Sequence, residues 1–120
     1  MKIRTQRKEH VVTVERDGQE WPFSVSPLDP AEEAEIRKKH TSYVRISGQL
    51  LPEVDFAEIK IEKAQSVIRS WPCVDENDQE IPCSDEKKRE AWLLNPDLID
   101  EVLRKAGEIG AGRAAEEKKT

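Results

Sequence analysis

Aromatic residues are scarce in this chain: three Trp, two Phe and one Tyr among 120 positions. A core must therefore be assembled largely from aliphatic side chains. The 36% hydrophobic content supports one modest domain and no second one. Uninterrupted apolar runs are missing as well. No stretch of about 18 apolar residues occurs, so no segment reads as a membrane-spanning helix. The N-terminal MKIRTQRKEH has no apolar segment of the kind a secretion signal carries. The expected compartment is the cytoplasm.

Soft metal ligands and nucleophiles are equally sparse. Cys73 and Cys83 stand ten positions apart and approach each other if the intervening segment is a hairpin, but in a reducing compartment both remain thiols. A closed zinc site needs four Cys or His ligands, and His10 and His40 are remote from the Cys pair and read as solvent-facing or capping residues. There is no glycine-rich phosphate loop, no nucleophile elbow, and no base at a recognisable spacing from either Cys. Adjacent carboxylates such as Glu32 and Glu33 arise by chance in a chain with 25 acidic residues. The expectation is no catalytic residue, no metal, no cofactor and no enzyme.

Charge, by contrast, is abundant. Charged residues make up 38% of the chain and the net charge is −5, which argues against binding through phosphate neutralisation. The basic runs RKKH at 37–40 and KKR at 87–89 are flanked by acids and read as solvated helix faces. Neither nucleic acid nor membrane is an expected partner.

The pattern of apolar residues predicts an α+β chain, mostly α, in which an N-terminal antiparallel β-hairpin packs on about four helices within one domain, residues 1–109. In VVTVERDGQEWPFSV, residues 11–25, an Asp17-Gly18 turn sets Val14 opposite Trp21 and Val12 opposite Phe23, giving one apolar face. Pro22 then faces Thr13, which is tolerable on an edge strand. KIRT at 2–5 is a candidate third strand. Asp29, Pro30 and Glu32 have capping-box spacing at the start of a helix over 30–40 that has few large apolar groups. TSYVRISGQLLPEV, residues 41–54, reads as a connection with at most one short strand.

Asp55 and Glu58 open a helix over 56–70, whose Phe56, Ile59, Ala64, Val67, Ile68 and Trp71 recur at helical spacing and mark it as the centre of the core. Ser84 caps a helix over 85–94, and Asn95-Pro96 restarts a last one over 97–109 with a stripe of Leu98, Ile99, Val102, Leu103, Ala106 and Ile109. Residues 110–120, GAGRAAEEKKT, are expected to form a flexible tail.

The loop between the third and fourth of these signals, WPCVDENDQEIPCS, offers Asp75, Asn77, Gln79 and Glu86 at positions 1, 3, 5 and 12 of a calcium loop. Glu80 stands where the sharp turn needs Gly, and Pro82 stiffens the exit, so a structural or binding loop is the better reading. Trp21 and Trp71 read as core anchors. Trp92 sits among Ala91, Leu93 and Leu94, and four successive apolar residues span more than one helix face. That excess marks Trp92, Leu93 and Leu94 as a protein-binding surface.

With these parts in view, the chain resembles the tail assembly chaperones of long-tailed bacteriophages and prophages. The hairpin running into FSVSPLDPAEEAEI carries the likeness, as do the helix ending in VIRSW and the loop VDENDQEIPCS followed by LLNPDLIDEVL, together covering about residues 11–109. The family's loop reads Trp, small residue, Val, acid, turn Gly, then apolar-Pro-x-Ser. Trp71, Val74, Asp75, Ile81, Pro82 and Ser84 occupy those places, with Cys73 at the small position and Asp78 in place of the Gly. The resemblance implies a loop that organises the fold, fixing the long helix against the two C-terminal helices with Trp71 packed at their junction, and a non-catalytic protein of the bacterial host cytoplasm. It also implies a tape-measure protein as partner, coated before the tail tube polymerises, with contact to the tail tube protein and self-association as further expectations. Some relatives are extended by frameshifting near the C-terminus. A generic adaptor or a mobile-element factor that binds a host protein, through this apolar surface or the acidic stretch from Glu53 to Glu80, is the alternative.

Overall fold

The computed structural model describes the backbone of residues 1–3 and 7–119 and the side chains of those up to residue 111. Asp17 and Gly18 have φ of 55° and 75°, the two positive values of a turn whose twist matches the strands it joins. Strands β1 (His10–Arg16) and β2 (Gln19–Val25) consequently pair antiparallel, with Val12 opposite Phe23 and Val14 opposite Trp21 as expected. Helix α1 (Pro30–Lys39) begins with the full capping box. The Glu32 N–H donates to Asp29 Oδ1 at 2.8 Å, and the Asp29 N–H donates to Glu32 Oε1 at 3.4 Å. Only Ile36 of α1 is buried, which fits its poor apolar content.

Residues 41–54 depart from the sequence expectation. They form a second hairpin, β3 (Thr41–Ile46) and β4 (Gln49–Val54), about a Ser47-Gly48 turn with φ of 51° and 79°. Pro52 argues against a strand only where its nitrogen must donate, and here it stands opposite Tyr43 at a position that turns its backbone outward. Among the described residues the hairpin makes no more than marginal contact with other elements, and it joins the body at its base, where the Asp55 N–H donates to the His40 carbonyl at 2.9 Å.

Helix α2 spans Phe56–Val67 and is capped by Asp55, whose carboxylate accepts the Glu58 N–H at 3.2 Å. It ends three residues short of the expected 56–70. The β-branched Val67 and Ile68, and the restriction that Pro72 places on Trp71, favour extended backbone, and Ile68–Ser70 becomes strand β5 on the far side of β2. The sheet order is therefore β1-β2-β5. Pro22 lies in the middle strand rather than on an edge, yet β5 reaches only Ser24 and Val25, so the missing N–H falls past the end of that ladder. Of the proposed strand at 2–5, Lys2 and Ile3 form none, and residues 4 and 5 lie outside those described.

Helix α3 (Asp85–Leu94) starts at Ser84, whose Oγ accepts the Lys87 N–H at 3.3 Å. Helix α4 runs Pro96–Lys119, through the stretch expected to be a tail, of which only Thr120 lies outside the described residues. Its interior glycines cost about 1 kcal/mol each relative to Ala, and the Ala, Glu, Lys and Arg residues around them are strong helix formers. Among the described residues no helix is long and apolar enough to cross a membrane.

The core lies between the sheet and two helices. Val12, Val14, Phe23 and Val25 face Ala64 and Val67 of α2 and Ile99, Val102 and Ala106 of α4, with Ile68 completing it. The buried Ile61 of α2 was not on the expected stripe, and Phe56, which was, is exposed. The C-terminus of α2 is the polar hinge of this arrangement. Its last four carbonyls have no partner inside the helix, and the helix supplies no basic residue there. Each finds a donor elsewhere: Ala64 from the Ile68 N–H, Gln65 from Lys88 Nζ at 3.0 Å, Ser66 from Arg7 at 2.9 Å and Val67 from the Ser26 N–H at 2.8 Å. Two imported cations thus meet the negative end of the helix dipole. Lys88, expected on a solvated face, is buried for this reason.

Candidate protein-binding groove

The loop after β5 folds on one carboxylate. Asp75 Oδ1 accepts the N–H of Asn77 at 2.8 Å and of Gln79 at 3.0 Å, while the Asp75 N–H donates to the Gln79 carbonyl at 2.9 Å. Asp78 takes φ of 60° where a Gly would be freer, which a short polar side chain tolerates. Val74 then bridges to Glu80, and the Ile81 N–H donates to the Cys73 carbonyl at 3.1 Å. Trp71 closes the neck of this miniature hairpin: its indole Nε1–H donates to the Ile81 carbonyl at 2.8 Å while its ring packs, half-buried, against the core.

That neck forms one wall of an open groove of about 720 Å³. Trp71, Val74, Ile81 and Pro82 line the loop side, Val14, Trp21 and Phe23 the sheet side, and Ala91, Leu94 and Leu98 the helical side. The structure therefore gathers most of the residues that sequence reasoning singled out separately. Trp21 lies on the same sheet face as Val14 and Phe23 but nearer the turn, outside the buried cluster, so it is a groove residue rather than a core anchor. Phe23 is fully buried and forms the floor.

The apolar run on α3 is divided among three tasks. Trp92 packs partly buried on the core and donates from Nε1 to Asp100 Oδ1 at 3.3 Å, which moves it from the expected binding surface to the helix junction. Leu94 is 80% exposed and lines the groove. Leu93 is exposed on another side and does not. Ser84 acts as the α3 cap outside the groove.

The rim is acidic. Asp17, Asp75, Glu76, Glu80 and Glu90 surround it, against Arg16 and Lys87. Both cations are engaged, Arg16 with Glu101 at 3.4 Å and Lys87 with Glu90 at 3.1 Å. The groove thus presents apolar and aromatic surface under an excess of negative charge. No protein-family model, curated protein or solved structure matches this chain.

Burial, with Cys83 nearby, pushes the Cys73 thiol up to about 11, and burial raises Cys83 as well, so both stay protonated and pack as small apolar groups. Away from the groove, His10 sits within β1, and His40 reaches Glu62 Oε1 at 3.1 Å beside Lys39 at 2.8 Å. The Lys39 hydrogen bond, with that of His40, holds the Glu62 carboxyl below its ordinary value. This cluster fixes the base of the β3–β4 hairpin to α2 and has no connection with the groove.

Proposed function

We propose that the protein is a non-enzymatic holding protein whose groove takes an apolar-faced helical segment, and that it serves as a phage tail assembly chaperone for the tape-measure protein in the bacterial host cytoplasm. The observation that carries this reading is the groove itself: Trp21, Trp71, Val74 and Leu94 stand together, open to solvent, beneath a rim of five carboxylates. A shallow apolar groove with charged borders is the usual receptor for one face of an amphipathic helix. The volume suits a few side chains rather than a whole domain, so single contacts are weak and covering one long helix takes many copies. Such contacts are readily given up, as polymerisation of the tail tube protein around the tape measure would require. The sequence resemblance supplies the identity of the partner, and the acidic exterior keeps the coated complex in solution.

The acidic side of the loop favours a second reading, a mobile-element factor or adaptor that docks on a basic host protein through Asp75, Glu76 and Glu80. Co-expression with tape-measure fragments from the same genome, followed by pull-down and light scattering, separates the two. Several copies per fragment are expected, and Leu94→Lys should abolish capture without unfolding the protein. Failure of the folded wild-type protein to bind any fragment, or equal capture by Leu94→Lys, would overturn the groove reading.

A further inference from the structure

The β3–β4 hairpin is a sheet that lacks strands. Two strands alone are marginal in water and need a third strand or a covering helix; among the described residues no third strand joins this sheet and no helix makes more than marginal contact with it. Tyr43, Leu50 and Ile46 remain 63%, 61% and 55% exposed, with Leu51 at 39%. They are divided between the two faces of one small ribbon, Tyr43 and Leu50 on one and Ile46 and Leu51 on the other, so what the ribbon offers a partner is its edge rather than one apolar face.

The register decides which edge is available. A two-residue turn makes Ile46 and Gln49 the first hydrogen-bonded pair, and the pairs alternate from there. Val44 with Leu51 and Ser42 with Glu53 therefore bond within the hairpin, whereas Thr41, Tyr43 and Arg45 on β3 and Leu50, Pro52 and Val54 on β4 turn their backbone groups outward. Pro52 has no N–H, so the outward row of β4 lacks its central donor. The outward row of β3 is complete.

We propose that β3 pairs antiparallel with β3 of a second copy about a two-fold axis at Tyr43, giving a four-stranded sheet in the order β4-β3-β3-β4. Charge and the number of outward pairs together select this register: an axis at Ser42 sets Arg45 against Lys39, and an axis at Val44 leaves Thr41 opposite the turn residue Ser47, whereas the axis at Tyr43 engages all three outward residues. It places Tyr43 opposite Tyr43 of the second copy, Arg45 opposite Thr41 and Ser42 opposite Val44, with no like charges facing. An axis at Arg45 sets two guanidiniums against each other, and an axis at Thr41 brings Lys39 into the ladder and leaves Arg45 without a cross-strand partner. The outer edges of the joined sheet are then both β4, each interrupted by Pro52, so pairing stops at two copies. The ribbon is too small to reach the roughly 1,200 Å² of a standard stable interface, which makes the dimer reversible and concentration-dependent. The proposal is independent of what fills the groove.

Sedimentation velocity on the full chain from micromolar to near-millimolar concentration should show a monomer–dimer equilibrium. Over the same range, hydrogen exchange should slow at the Tyr43 and Arg45 amides and remain fast at Leu50 and Val54. Tyr43→Pro removes an outward N–H and leaves the internal ladder of the hairpin in place; it should weaken dimerisation at least about tenfold, since both copies lose a bond at the axis. Pro52→Val restores the missing donor and should produce species larger than a dimer. Where circular dichroism shows Tyr43→Pro disturbing the fold, Arg45→Pro tests the same edge. A wild-type protein that is monomeric throughout, a folded edge-proline variant that dimerises unchanged, or amide protection confined to β4 would each overturn the proposal.

Discussion

The two hairpins of this protein are built alike and end in opposite surroundings. Each turns through two residues with positive φ, Asp17-Gly18 and Ser47-Gly48, and each carries Pro at the fourth place of its return strand, Pro22 and Pro52. What separates them is how apolar side chains are shared between the faces. In the first, Val12, Val14, Phe23 and Val25 all fall on one face, which α2 and α4 cover. In the second, Tyr43, Leu50, Pro52 and Val54 fall on one face and Val44, Ile46 and Leu51 on the other, so no single neighbour can bury both. Turn chemistry is enough to make a hairpin. One-sidedness is what makes it core.

The sharpest way to break that comparison is to delete a side chain from each. Phe23→Ala should destabilise by about 3–5 kcal/mol, because it empties a site sealed between sheet and helices. Leu50→Ala should lower the unfolding free energy from a urea titration by less than about 0.5 kcal/mol at concentrations where the protein is monomeric. Equal losses would mean that the second hairpin shares the core after all.

The cover over the first hairpin depends on seating α2, and Lys88→Met removes the ammonium that satisfies the buried Gln65 carbonyl. A loss of about 1–3 kcal/mol is expected in the same urea titration. Arg89→Met, which breaks only a partly exposed pair with Glu58, should cost less than about 1 kcal/mol.

A matched pair of turn substitutions comes next. An added Cβ meets nothing within 4 Å at Gly18 or at Gly48, so Gly→Ala at either site carries only the backbone cost of positive φ, about 1–2 kcal/mol. Gly18→Ala should lower global stability by that amount. Gly48→Ala should leave the global midpoint in place and accelerate amide exchange in residues 41–54 alone.

The smallest effect concerns pH. Glu62 ionises more readily when folded, because Lys39 and His40 bond its carboxylate at the base of the second hairpin. Its contribution is therefore complete above the ordinary glutamate range and disappears as pH falls through the lowered folded value. Wild type and Glu62→Gln should differ in urea midpoint near neutrality and converge in acid. A difference that persists in acid would assign the effect to shape rather than charge.

Much of this fold was legible because its signals are local. Asp17-Gly18, the Asp29/Glu32 capping box, Ser84 and Asn95-Pro96 each act within four residues, and each stands where the sequence places it. The second hairpin was legible in principle from Ser47-Gly48 between β-forming residues, but Pro52 obscured it, since whether a strand tolerates Pro depends on which way its nitrogen points. The groove was legible only in pieces. The Trp71 loop and Leu94 could be named from the sequence, whereas Trp21, read as core, stands nearer the turn outside the buried cluster, and Trp92, read as interface, packs partly buried at the junction with α4. Lys88 gave no sign at all, because its partner is a carbonyl 23 residues away.

The sequence by itself determined the turns, the caps and the periods of its helices and strands, since these follow from φ preferences and from hydrogen bonds within a single turn. Only the tertiary structure decided which apolar residues became core, groove or open edge. Burial is a property of two surfaces together: apolar residues are interior where α2 and α4 close over the first sheet and mostly exposed on the second, which no helix covers among the described residues.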